Sequence, residues 1–368
     1  MPHPPPLSCP LSLRRLGATL LAAGILLLCT LPLSAAPEDP GSLDRIRLRL
    51  DGGEAEAVLA ILEKVGAGEQ VREEDWRRLF ESEPYVRLKK REAAMNRPFS
   101  DADFRKFVLG KELASRASEL RRTLEAWKRS DLTASAKRVL AYLPQEAVIR
   151  AGVFPVIKPQ TNSFVFEPST DAAIFLYLDP AESAVKFGNT VAHELHHIGF
   201  ASLSGMQEER LKRLAPEVKT ALDWMGAFGE GFAMLAAAGG PDVHPHTSSP
   251  PEDRARWDRD MGRFNRDLRQ VEKFFMDILS GRLKTEEEIS KAGFSFFGVQ
   301  GPWYTVGYRM AVVVERRHGR AILIECMREP RELLSRYNTA AAELNRADGG
   351  ERLVLWSPEL LAKLGAGK

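Results

Sequence analysis

The sequence predicts a mostly helical α+β fold, in which a small β-sheet and one long helix are framed by helical regions on both sides. Three observations predict it. Apolar residues recur at helical spacing through most of the 368 residues, two short β-prone runs fall together near the middle, and a capped helix follows the second run directly. With 44% hydrophobic residues the chain can bury a substantial core.

The first 36 residues stand apart. Arg14 and Arg15 precede an uncharged apolar stretch, Leu16 to Leu33, and Ser34, Ala35 and Ala36 supply small residues for cleavage. They read as a signal peptide, and the protein is expected to be exported to the periplasm or secreted. An uncleaved anchor is the alternative, because the stretch is just long enough to span a bilayer and Pro37 disfavours cleavage. Cys29 follows Leu27 and Leu28 rather than a small residue, which argues against lipidation. Without this segment the 52 basic residues fall to 50, equal to the 50 acidic ones. A balanced charge gives no basis for a nucleic-acid partner or an anionic membrane surface. Cys326 is then the one cysteine left, so no internal disulfide is expected.

Residues 37–143 read as a helical N-terminal region. Ala55, Val58, Leu59, Ile61 and Leu62 keep helical spacing, and Glu73, Glu74 and Asp75 open a helix carrying Trp76, Leu79 and Phe80. Ser100 caps a helix from Asp101 to Leu109, and Glu112 to Trp127 is amphipathic; charge runs such as Arg87 to Arg91 are solvated helix faces. Pro144 and Pro155 mark the passage into the central part, 144–240. There Asn162–Phe166 and Ala173–Leu178 are strands, and Asp179, Pro180 and Glu182 form a capping-box start for a long helix. A second helical pattern runs from Pro216 to Ala238 and ends at Gly239 and Gly240. The remaining 241–368 form a helical C-terminal subdomain: a loop to Pro251, helices over Arg254–Leu279 and Thr305–Arg317, and shorter helices after them.

Chemistry concentrates in the central helix. His193-Glu194-Leu195-His196-His197 holds three of the seven histidines and matches H-E-x-x-H. Residues four apart share one helix face, so His193 and His197 can bind one metal while Glu194 reaches a water on it without being a ligand. A catalytic zinc normally takes a third protein ligand. Phe200 and Leu203 stand where a metzincin needs Gly and His, which leaves an acid from a later helix. Glu217 and Glu230 compete for that place. Glu217 sits beside Pro216 at a helix start, where the helix dipole alone explains a carboxylate. Glu230 lies inside a helix between Gly229 and Gly231, a costly pairing that close approach of two helices around a metal would explain, and it is the favoured ligand. His196 points away as a packing histidine, His244 and His246 are solvated loop residues, His318 ends a helix, and Cys326 is an inert buried thiol.

Val191 to His197, followed by Gly229-Glu230-Gly231-Phe232-Ala233, resembles the gluzincin zinc metallopeptidases, whose H-E-x-x-H is completed by a glutamate. The Glu-Gly-Phe-Ala element is similar to the ligand-bearing helix of the M1 aminopeptidases, but their G-A-M-E-N motif is missing, so membership of that family is not implied. The closer resemblance, over most of the chain after residue 36, is to an uncharacterised bacterial family of zinc-dependent peptidases, where a helix like Trp303 to Met310 follows. The resemblance implies a zincin-like catalytic core in 144–240 with one Zn²⁺ held by His193, His197 and Glu230, and Glu194 as catalytic base acting on a peptide or protein substrate. Tyr304 and Tyr308 are the candidates to stabilise the oxyanion, with a slight preference for Tyr308. One departure concerns the acid four residues after the third ligand, which steadies a ligand histidine in thermolysin-like enzymes. Met234 stands there, and Asp223, earlier on the same helix, is the candidate replacement. A catalytically inactive zinc-binding scaffold is the rival reading, against which the retained Glu194 argues.

Overall fold

The computed structural model describes residues 43–203, 214–347 and 352–365. The expected signal segment lies outside them. Among the described residues the fold is α+β and mostly helical, and no helix is long and apolar enough to cross a membrane.

The sheet has four strands in the order β1-β2-β4-β3. β1 (Ile46–Leu50) and β2 (Ile149–Val156) are parallel, β2 and β4 (Ala173–Tyr177) are parallel, and the short β3 (Phe164–Phe166) runs antiparallel to β4 at the edge. Two of these strands differ from expectation. Ile46-Arg47-Leu48-Arg49-Leu50 was expected among helices, yet its alternating apolar and basic residues form an edge strand with one face inward. β2, for which no strand was expected, runs through Pro155, one of the two prolines that mark the passage into the central part. Val156 accepts a hydrogen bond from Leu178 N–H on the β4 side, whereas Val153 bonds to Asp51 on the β1 side. Pro155 thus turns its missing N–H toward β1, whose last paired residue, Leu50, lies opposite Val153. No ladder bond is lost there.

Six helices precede the centre of the sheet: α1 (Gly53–Gly66), α2 (Glu73–Phe80), α3 (Glu83–Ala94), α4 (Asp101–Val108), α5 (Lys111–Lys128) and α6 (Leu132–Leu140). The expected cap of α4 is present: Ser100 accepts the Asp103 N–H. Leu88 of α3 packs with Phe154, Val156, Ala173 and Phe175 on one face of the sheet. Ile149, Val153, Ile174 and Leu176 face the main core on the other side.

After β4 comes α7 (Ala184–Ala201), the helix that carries the histidine motif. It starts later than the capping-box reading placed it. Asp179 instead closes a turn, accepting the Ala181 N–H on its carboxylate and the Glu182 N–H on its carbonyl, and Ser183 caps the helix by accepting the Lys186 N–H. Trp127 of α5 stacks on Phe187 with ring centroids 4.4 Å apart and holds the first turn of α7 down.

The pattern read as one helix from Pro216 to Ala238 is broken. α8 (Pro216–Met225) gives way to a 3₁₀ turn at Gly226–Phe228, and α9 (Gly229–Ala238) follows. The tighter turn falls where two glycines weaken the helix. Arg254–Leu279 is likewise two helices, α10 (Pro251–Met261) and α11 (Phe264–Leu279), followed by α12 (Glu286–Phe294) and α13 (Pro302–His318). The chain closes with α14 (Arg320–Arg328), α15 (Pro330–Ala347) and α16 (Pro358–Leu364).

α9 lies between α7 and α13, and Gly231 explains how. A Cβ on Gly231 would come within 2.0 Å of Tyr308 N and 2.3 Å of Gly307 C, and one on Gly307 within 2.6 Å of Phe228 O. The two backbones therefore touch. The glycine beside Glu230 serves the crossing with α13, not the approach to α7 that the sequence suggested.

Gly231→Ala forces backbone apart and should lower the unfolding free energy by about 3 kcal/mol, measured by urea denaturation. A second prediction concerns Glu54, which is fully buried in the first turn of α1 and accepts the Ile157 N–H at 2.9 Å beyond the end of β2. Burial pushes its carboxyl from the ordinary 4.5 up to about 8, against the opposing pull of that hydrogen bond and of Lys158. The folded state then holds a proton that the unfolded chain has released, so stability falls as pH rises through that window, by at most about 1.4 kcal/mol per pH unit. Glu54→Gln should flatten this slope when unfolding is compared at about pH 5 and about pH 8.

Candidate metal centre

α7 and α9 bring three donors to one point. His193 Nε2 lies 3.1 Å from Glu230 Oε2, His197 Nε2 lies 3.3 Å from the same oxygen, and the two Nε2 atoms are 3.1 Å apart. The imidazoles stand one above the other on α7, with rings at 77°. The carboxylate comes from the first turn of α9, directly after the 3₁₀ turn. Among the described residues this is the group of histidine and acidic side chains able to hold a metal ion. Glu217, the competing acid, is exposed in the first turn of α8.

The donor set suits zinc. Two imidazole nitrogens and one carboxylate oxygen, each about 2.0–2.1 Å from a tetrahedral ion, would be about 3.4 Å from one another. The observed separations of 3.1 to 3.3 Å are nearly those edges. Burial alone would raise the Glu230 carboxyl, but the hydrogen bonds and positive charge of His193 and His197 hold it well below the usual carboxylate range. Burial opposes charge on His197, and the Glu230 carboxylate outweighs it and raises that imidazole. The cluster thus attracts positive charge. A cation meets the need of three lone pairs in contact.

Glu194 sits beside His193 on α7, half-buried and outside the trio. Its charge reaches the same space, helping to raise both His197 and the Tyr304 phenol. The Tyr304 ring lies nearly parallel to His193, with centroids 6.2 Å apart and planes 14° apart. Burial, then the carboxylates of Glu230 and Glu194, push its hydroxyl above the ordinary range, so it keeps its proton. Tyr308 is placed elsewhere. Its hydroxyl donates to the Val243 carbonyl at 3.4 Å and its ring meets Trp257 edge-on. One turn along α13 thus separates a phenol at the histidines from one that points to the loop after α9.

Other expectations also change. Asp223 makes no hydrogen bond to His193, whose Nδ1 is buried without a partner, so it does not steady that imidazole. Burial raises the Asp223 carboxyl. Met234, where an acid was missing, lies 4.0 Å from the Gln300 amide nitrogen. His244 and His246 are not simply solvated: His244 pairs with Asp258 at 2.9 Å and accepts the His246 N–H, and His246 is buried with Ser249 Oγ 2.9 Å from its Nδ1. His196 is buried as expected, but neither ring nitrogen has a partner. Cys326 is buried too, its thiol pushed up to about 12 by burial.

Sequence reasoning missed what adjoins the trio. A cavity of about 550 Å³ opens against His196 and His197, lined on its other sides by the α8–α9 junction and by α14 and α15. No local sequence pattern marks it, because its walls come from five separate helices.

A family described as "Putative zinc dependent peptidase" (DUF5700) matches residues 72–346. No curated protein and no solved structure matches the chain.

Purified full-length protein should carry one zinc per chain by elemental analysis. His193→Ala, His197→Ala and Glu230→Ala should each abolish stoichiometric zinc, while Glu217→Ala keeps it. Because the ion binds only the folded chain, chelation should also lower the melting temperature, by the equivalent of about 4 kcal/mol if zinc stands at a thousand times its dissociation constant.

Proposed function

The chain belongs to this family, and on that premise we propose that it is an exported metallopeptidase of the gluzincin type that hydrolyses peptide bonds with one zinc ion. The observation that carries the reading is the contact of His193 Nε2, His197 Nε2 and Glu230 Oε2 within 3.3 Å, with Glu194 beside them and not among them. A structural zinc site closes with four protein ligands, whereas three ligands and a neighbouring free carboxylate suit catalysis.

His193, His197 and Glu230 would hold the ion. Zinc, when bound, supplies Lewis acidity and brings a water's pKa near neutrality. Glu194 takes the proton of the attacking water and returns it to the leaving amine. The Tyr304 hydroxyl, kept protonated by burial and by the two carboxylates, donates to the oxygen that gains charge. Tyr308 takes no part in this reading, since its hydroxyl is committed to Val243. The sheet, α7 and α9 together form a zincin-like core, and the free edge of β3 offers backbone groups to an extended substrate.

Glu194→Gln should keep its zinc and lose peptide hydrolysis by about 10²–10⁴-fold in kcat. Unchanged cleavage by this variant would remove the proposed base. Tyr304→Phe should lower kcat by about 10²-fold with little change in KM, and Tyr308→Phe should leave kcat within about twofold.

A further inference from the structure

The cavity beside His197 has no role in the proton transfers above. It is about 550 Å³, within the range of pockets that take small ligands and ample for a large side chain. Its walls are mostly apolar: Phe200 from α7, Leu222 and Met225 from α8, Phe228 and Phe232 around the junction, and Leu333 from α15. A closed core of such residues would be packed without voids. Here the space instead reaches a metal-site histidine.

Two further observations point to an occupant. Gly226 and Gly229 both line the cavity, and a Cβ on either would meet no atom within 4 Å. Both have right-handed φ near −50°, so neither position requires glycine for its backbone. What their bareness does is leave the space open. The second observation is His196, which is 1% exposed and lines the same cavity with both ring nitrogens unpartnered. A buried imidazole without hydrogen bonds is costly to keep, and no contact among the described residues offsets it.

We propose that this cavity is the specificity pocket of the proposed peptidase, taking the large apolar side chain of a residue next to the cleaved bond, with phenylalanine, leucine, methionine and tyrosine as the accepted class. The assignment rests on the peptidase reading for its substrate and on the cavity alone for its shape. Charged side chains are disfavoured. The four charged residues in its wall, Asp223, Arg328, Glu329 and Arg331, carry both signs, Arg331 is held by Glu329 at 2.8 Å, and apolar residues fill most of the remainder.

The test is to fill the pocket from Gly226. Wild-type protein, Gly226→Ala and Gly226→Phe, all loaded with zinc, are given a proteome-derived peptide library and the cleavage sites are mapped. Melting temperature and zinc content establish that each variant is folded and metallated. Wild type should cleave beside large apolar residues. Gly226→Ala should differ little, and Gly226→Phe should lose those cleavages by at least about tenfold relative to cleavage beside alanine or serine. An identical profile for wild type and Gly226→Phe overturns the proposal, as does a wild-type preference for small or basic residues. A second arm measures binding of N-acetyl-phenylalanine amide to the same proteins by NMR titration. Weaker binding to Gly226→Phe than to wild type is expected, and equal binding or none to either overturns the pocket. If the amide binds wild type selectively while no peptide is cleaved by a zinc-loaded protein, the peptidase reading fails and the apolar site stands.

Discussion

The crossing of α9 over α13 is the constraint on which the rest of the site depends. Gly231 and Gly307 let two helical backbones meet with no side chain between them. That contact sets the height of α9 and the direction in which Glu230, one residue earlier, leaves the helix. The opposite face of α9 then meets α7, where His193 and His197 wait one turn apart. A carboxylate must lie about 3 Å from both nitrogens to share an ion with them, and a shift of one ångström would break the set. The same crossing fixes α13, and with it which of its tyrosines reaches the histidines.

The electrostatics follow from this packing. Burial penalises each charged group, yet Glu230 stays strongly acidic because two imidazoles lean on it. Among the described residues His193 Nδ1 has no hydrogen-bond partner, which leaves its orientation to helix packing and to the stacked ring of Tyr304. This differs from the arrangement in which a carboxylate steadies a ligand histidine. Glu194 and Tyr304 flank the trio, and the carboxylates of Glu230 and Glu194 add to burial in holding the Tyr304 proton. The site thus joins an acid that stays ionised, a phenol that stays protonated, and donors that call for a cation.

Most of the site's chemistry was legible because it is local. Two histidines four apart on a capped helix share a face in any fold that keeps the helix, and Glu230 announced itself through two flanking glycines. The reason for one of those glycines was not legible: Gly231 answers to α13, seventy-odd residues later in the chain. β1 carried a visible alternation, Ile-Arg-Leu-Arg-Leu, but five residues beside a helical run are short enough to be absorbed by it. A proline such as Pro155 is ordinarily kept out of a central strand. Whether its missing N–H matters depends on where β1 ends, which no residue near Pro155 records.

The sequence by itself determined the types and spacing of the residues that could hold a metal, and the helical character that puts two imidazoles on one face, since these follow from the period of an α-helix. Tertiary structure alone decided that Tyr304 and not Tyr308 stands against His193, that Asp223 does not orient a ligand, and that space remains open beside His197. Each of those depends on how one helix is rotated and spaced against another. That rotation is set by side chains meeting from distant parts of the chain.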